Sequence, residues 1–174
     1  MTREDLQGSY SEGDALTIYN DVKVSGDFIG FAQRFIHDED YQVARNALWG
    51  LTKATDKELS ALQPILDELI ELAMQTDNSS VRRLTMNVIV RLKITNDFRT
   101  DFLDFCLDHA VDVAEYPGIQ SLAIKLAYTM CSYYPDLKEE LIRTLEGMEI
   151  EYYEPAVKCI RSRILSGRYK STVR

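Results

Sequence analysis

Apolar residues recur along the chain at a fixed offset. Val43, Val81, Ile119 and Val157 are spaced by 38 residues, and so are Phe31, Leu69, Leu107 and Leu145. A third series, Leu51, Ile89, Ala127 and Leu165, lies eight positions after the first. Self-similarity at a period of this length marks a repeat architecture. Within one period the spacing is helical. Ile65, Leu66, Leu69, Ile70 and Ala73 share one face of a first helix, and a polar turn spans 76–80. Val81, Leu84, Val88, Ile89 and Leu92 then share one face of a second helix. Four helical hairpins are predicted, at about 27–55, 56–94, 97–132 and 136–166. No strand-like alternation with hairpin turns occurs, so the expected fold is all-α.

Turn chemistry keeps the same period. Pro117 and Pro155 share a register position that suits the first turn of a helix, where the missing N–H has no intrahelical partner to lose. In the earlier repeats the equivalent sites follow Asp40 and Asn78, both good N-caps. Thr55 to Glu58 has the form of a capping box, and Pro64 either kinks the helix that follows or starts its main part. Residues 1–26 carry Leu16, Ile18, Tyr19 and Val22 among glycines, which predicts an end cap whose extreme N-terminus is disordered. Gly167 suits a helix C-cap, and 167–174 reads as a loose basic tail.

One helix pair cannot bury its apolar face alone, but stacked pairs share a continuous core. The residues resemble HEAT repeats, a branch of the armadillo-like α-solenoids. PILDELIELAMQTDNSSVRRLTMNVIVRL has the leucine-rich first helix, the acidic turn and the Val-Arg opening of the second helix, with Asp77 and Arg82 at the family's turn aspartate and arginine. Other units depart: Ala44 replaces that arginine in the first, Gln120 in the third and Lys158 in the fourth. The resemblance covers about 27–166. It implies a right-handed α-α superhelix whose second helices line a concave surface, and a non-enzymatic protein-interaction scaffold.

Charge follows the repeat. The four second helices, taken as 41–55, 80–94, 118–132 and 155–168, hold eleven basic and no acidic residues. The rest of the chain keeps nine of the twenty basic residues and all 28 acidic ones, within a net charge of -8. At about 100° per residue, Arg45, Trp49 and Lys53 form a stripe opposite the apolar face of their helix. One period on stand Arg83, Asn87 and Arg91; Lys125 and Arg163 continue the central row. Arginine forks match carboxylates, and tryptophan is a preferred anchor at protein interfaces, so this face suits an acidic protein segment. A structural reading competes. Cations late in a helix are favoured by its dipole, Arg82 or Arg83 has acids within reach of its turn, and Trp49 has the bulk to pack between the first two units.

Enzymatic chemistry is not encoded by any motif here. There is no phosphate-binding glycine loop and no nucleophile elbow, and no metal or cofactor is expected. His37 and His109 read as solvated helix-end residues. Cys106, Cys131 and Cys159 form no CxxC pair and read as buried, inert thiols, which suits a reducing cytoplasm. Tyr133, Tyr134, Tyr152 and Tyr153 read as packing between units. No apolar run approaches the ~20 residues of a membrane helix, and the N-terminal segment lacks the features of a signal peptide. The main alternative is a nucleic-acid or phosphate-binding HEAT-like module related in architecture to the DNA alkylation repair glycosylases but without their catalytic carboxylate, since these second helices have none. Self-association through end repeats stands as a further reading.

Overall fold

A computed structural model describes residues 1–8 and 10–171. Every regular element among them is helical. The chain divides into two compact units, Met1–Leu92 and Lys93–Arg174. The first holds α1 (Glu12–Ser25), α2 (Phe28–Phe35), α3 (Tyr41–Leu51), α4 (Asp56–Leu59), a 3-10 stretch Ser60–Ile65, α5 (Leu66–Gln75) and α6 (Ser79–Ile89). The second holds α7 (Thr100–Val111), α8 (Pro117–Cys131), α9 (Pro135–Glu146) and α10 (Pro155–Leu165).

Helix starts follow side-chain chemistry. The Asp40 carboxylate accepts from the Gln42 amide, and the Asn78 side chain accepts from the amides of Ser80 and Val81. Proline opens α8, α9 and α10. Pro64 sits inside the 3-10 stretch, and α5 begins two residues later, so this proline precedes the main helix and does not kink it. Within the first unit α2 packs on α3, α5 on α6, and the second helices α3 and α6 on each other. Val43, Ala47 and Leu51 of α3 and Val81 and Ile89 of α6 are buried. In the second unit α8 packs against α7, α9 and α10. Its residues Leu122, Ile124, Leu126 and Met130 are buried along with Ile119 and Ala127, so no solvent stripe of ordinary width remains on that helix.

The familial arginine position has a visible job. Arg82 donates from Nε to the Ala73 carbonyl at 3.0 Å and from Nη2 to the Thr76 carbonyl, where α5 ends. One period later Gln120 donates to the carbonyls of Ala110 and Asp112 at 3.1 and 3.0 Å, where α7 ends. Arg161 reaches the carbonyls of Leu145 and Glu146 at the end of α9. Carbonyls at a helix C-terminus lack intrahelical donors, so in the last three hairpins these side chains tie the first helix to the second helix that follows it.

Residues 1–8 are held, which differs from the disorder expected there. Leu6 is fully buried, and the buried Asn46 of α3 donates to its carbonyl at 2.7 Å. The Arg3 guanidinium grips both oxygens of Asp38 at 2.8 and 2.9 Å. Helix α1 lies on α3 where Gly50 leaves room: a Cβ at Gly50 would stand 2.3 Å from Ile18 Cγ2. At the far end Gly167, just past the Ser166 C-cap of α10, takes the left-handed φ of 68°, and Tyr169 packs edge-on against Tyr128 with ring centroids 5.6 Å apart. The last three positions of the expected basic tail, 172–174, lie outside the described residues.

The capping box at Thr55 also makes a pH prediction. Its Glu58 carboxylate accepts from the Thr55 amide and hydroxyl at 2.8 Å each and from the Tyr19 hydroxyl at 3.0 Å, with Lys23 at 3.5 Å. The Thr55 amide leads in holding this carboxyl down at about 2 against an ordinary 4.5. A depressed acid stabilises the folded chain fully above its unfolded value, and that contribution is lost as pH falls through the folded one. Urea unfolding of Glu58→Gln is therefore expected to show lower stability than wild type at neutral pH and a shallower decline between pH 4.5 and 2. Parallel acid limbs in the two proteins would contradict this role for Glu58.

Candidate interaction face of the second helices

In the first unit the predicted stripe falls on neighbouring packed helices, but its members are not equivalent. Arg45 is half-buried and donates from Nε and Nη2 to the Asn46 side-chain oxygen at 3.0 and 2.8 Å. Asn46 donates in turn to the backbone of residues 6 and 8, so Arg45 is tied to the N-terminal segment. Trp49 is half-buried too, with the Lys53 ammonium 5.8 Å from its ring centroid, within cation–π range. Lys53 pairs with Glu12 at the start of α1.

Arg91 is the most engaged of the set. It pairs with Asp56 at 2.7 Å and donates to the carbonyls of Thr52 and Ala54, joining the end of α3 and the start of α4 to the end of α6. Arg83 is exposed and makes no hydrogen bond or ion pair among the described residues. Asn87 stands half-exposed one turn along the same helix. Arg83 is thus the cation available to an incoming carboxylate, with Asn87, Trp49 and the aliphatic part of Arg45 on the same helix pair.

In the second unit Lys125 is half-buried on α8, and Arg163 is exposed on α10 with its guanidinium 5.9 Å from the Tyr169 ring centroid. The acids that close on the stripe, Glu12 and Asp56, escape a reading of the repeat. They lie 41 and 35 residues from their partners, off the 38-residue register, and Glu12 precedes the first hairpin. Asn46 was the accessible signal: a polar residue beside the apolar positions of α3 requires a polar partner when buried.

The histidines pair with carboxylates, and two of the three thiols are buried. His37 is exposed just past the end of α2, as expected, with Nε2 2.9 Å from Glu68, whereas His109 is half-buried and its Nδ1 meets Glu115. The expectation of buried thiols fits Cys106 and Cys131. Burial pushes Cys106 well above the ordinary thiol range and Cys131 up to about 11, which keeps both protonated and unreactive. Cys159 is exposed on α10 instead, because its place in the outward row carries it away from the core. No helix among the described residues is long and apolar enough to cross a membrane.

Paired helices at a 38-residue period, with second helix stacked on second helix within each unit, define a helical-repeat protein. The chain belongs to the HEAT repeat domain family, whose model matches residues 2–168 and so takes in α1 as well as the four hairpins. Proteins of this family generally serve as protein-interaction scaffolds without catalysis of their own. Neither the search of curated proteins nor that of solved structures returned a match.

Proposed function

We propose that the chain is a non-enzymatic, cytoplasmic scaffold that binds an acidic segment of a protein partner on the outward face of α3 and α6. The observation that carries this reading is the exposed, unpaired Arg83 on a helix layer with no acidic residue, in a chain of net charge -8. Such a layer attracts carboxylates while the surrounding acidic surface repels them, which restricts where an acidic segment settles. Asn87 supplies a hydrogen-bonding amide, and Trp49 and the Arg45 stem supply apolar surface beside it. Lys53 and Arg91 act mainly by holding the face in place. Within the second unit, Lys125 of α8 and Arg163 of α10 occupy the matching repeat positions.

The test compares capture from nuclease-treated lysate by the wild type and by Arg83→Glu. Arg83→Glu leaves every intramolecular contact described above intact, whereas replacing Arg91 would remove its links to Asp56 and to the Thr52 and Ala54 carbonyls. A protein retained by wild type and lost from Arg83→Glu is the expected result. Retention of the same proteins by both would move the working surface elsewhere. Recovery of nucleic acid without nuclease, with binding that falls steeply as salt rises, would favour the phosphate-binding alternative.

A further inference from the structure

A second surface, in the Lys93–Arg174 unit, has the opposite chemistry. A cleft of about 350 Å³ lies between the end of α7 and the turn that joins α9 to α10, lined by Val111, Val113, Met148, Glu149, Tyr152 and Tyr153 among others. The Tyr153 hydroxyl donates to the Val111 carbonyl at 2.9 Å and joins its two sides. Apolar side chains stand open to solvent around it: Val111 is 41%, Val113 59% and Tyr152 69% exposed. Isolated exposed apolar residues need no explanation, but a cluster around a concavity marks an interaction site.

The two chain segments that border the cleft carry charge of one sign, and the nearest cations are engaged: Arg161 on the carbonyls of Leu145 and Glu146, Arg143 on Glu139. Residues 108–116 and 146–154 contain seven acidic side chains and no lysine or arginine. Glu115 is taken by His109, and the Asp112 carboxylate accepts from the Ala114 amide. Glu149, Glu151 and Glu154 make no side-chain hydrogen bond or ion pair among the described residues; all three are exposed. A cleft of mixed lining, flanked by exposed valine and tyrosine side chains and by free carboxylates, repels phosphates and acidic peptides. It fits a chain that carries arginine or lysine beside an apolar side chain: the carboxylates take the cation, the Tyr152 face favours it further, and the valines take the apolar group.

We infer that this cleft docks a basic, apolar-containing segment of a protein partner. The inference stands on the second unit alone and is independent of acidic-segment binding by α3 and α6. With both surfaces working, the scaffold holds two partners of opposite charge.

The test titrates the nitrogen-15-labelled full chain with a short synthetic peptide of alternating arginine, leucine and serine, and with the same peptide carrying glutamate for arginine. Saturable amide shifts at 111–116 and 147–154 are expected with the first peptide and none with the second. The double variant Glu149→Lys, Glu151→Lys is expected to weaken binding by about tenfold or more, and Tyr152→Ser, which keeps the rim charge, by a smaller factor. Absence of saturable shifts below about 1 mM peptide, or equal binding by wild type and both variants, would overturn the inference. The same residues shifting when the protein alone is concentrated would assign the cleft to a second copy of this chain and overturn it as well.

Discussion

Phe102→Ala is expected to lower the unfolding free energy by about 3–5 kcal/mol, the cost of removing a large buried aromatic and leaving a cavity. Phe102 is 1% exposed and heads the fully buried side chains by size. It lies on α7, stacked on Phe105 with centroids 6.1 Å apart and planes 13° from parallel. Helix α7 packs on α8, itself buried along most of its length, so closing the space requires the two helices to shift together. Urea unfolding followed by circular dichroism measures the change. A loss below about 1 kcal/mol would mean that the α7–α8 contact relaxes far more than a close-packed core does.

Gly50→Leu is expected to have the second largest effect, about 1–3 kcal/mol from overpacking. The first added atom, Cβ, already meets Ile18 Cγ2 at 2.3 Å and Ile18 Cβ at 2.8 Å, so α1 must move off α3. Because Glu12 begins α1 and pairs with Lys53, the displacement also reaches the Trp49 ring, and its fluorescence should shift together with the loss of stability. Gly147→Ala is the matched control. Gly147 has φ -75° and its nearest neighbour would be 3.4 Å from an added Cβ, so a change within about 0.5 kcal/mol is expected. Similar losses at both sites would remove the close crossing as the cause.

Much of this was readable before any coordinates. The valine series Val43, Val81, Ile119 and Val157 is buried throughout, since stacking identical units forces equivalent positions into the same core environment. Asp40, Asn78, Thr55, Pro117 and Pro155 mark helix starts because capping depends on neighbours within one turn. The N-terminal segment was less legible. Helix α1 has no counterpart among the repeats, and its seat depends on Gly50 meeting Ile18, a long-range fit that no local pattern carries.

The candidate face was legible as a row but not as a site. Helical spacing puts Arg45, Trp49 and Lys53 on one side of α3, and Arg83, Asn87 and Arg91 in the matching places around α6. It does not reveal that Glu12 and Asp56 close on two of the cations, because those acids sit outside the repeat register. Exposed pairs of this kind add little stability, typically below about 1 kcal/mol, but they decide which cation is free. Arg83 is the one on α6 left open to a partner.

Trp49 is the single tryptophan of the chain and lies on this face, so its emission reports directly on occupancy. The decisive measurement is a fluorescence titration of the full chain with an aspartate- and glutamate-rich peptide bearing one leucine, in wild type and in Arg83→Glu. Binding of an acidic segment to α3 and α6 predicts a saturable change in wild type that Arg83→Glu weakens by about tenfold or more. No change in wild type, or an equal change in both proteins, would contradict it.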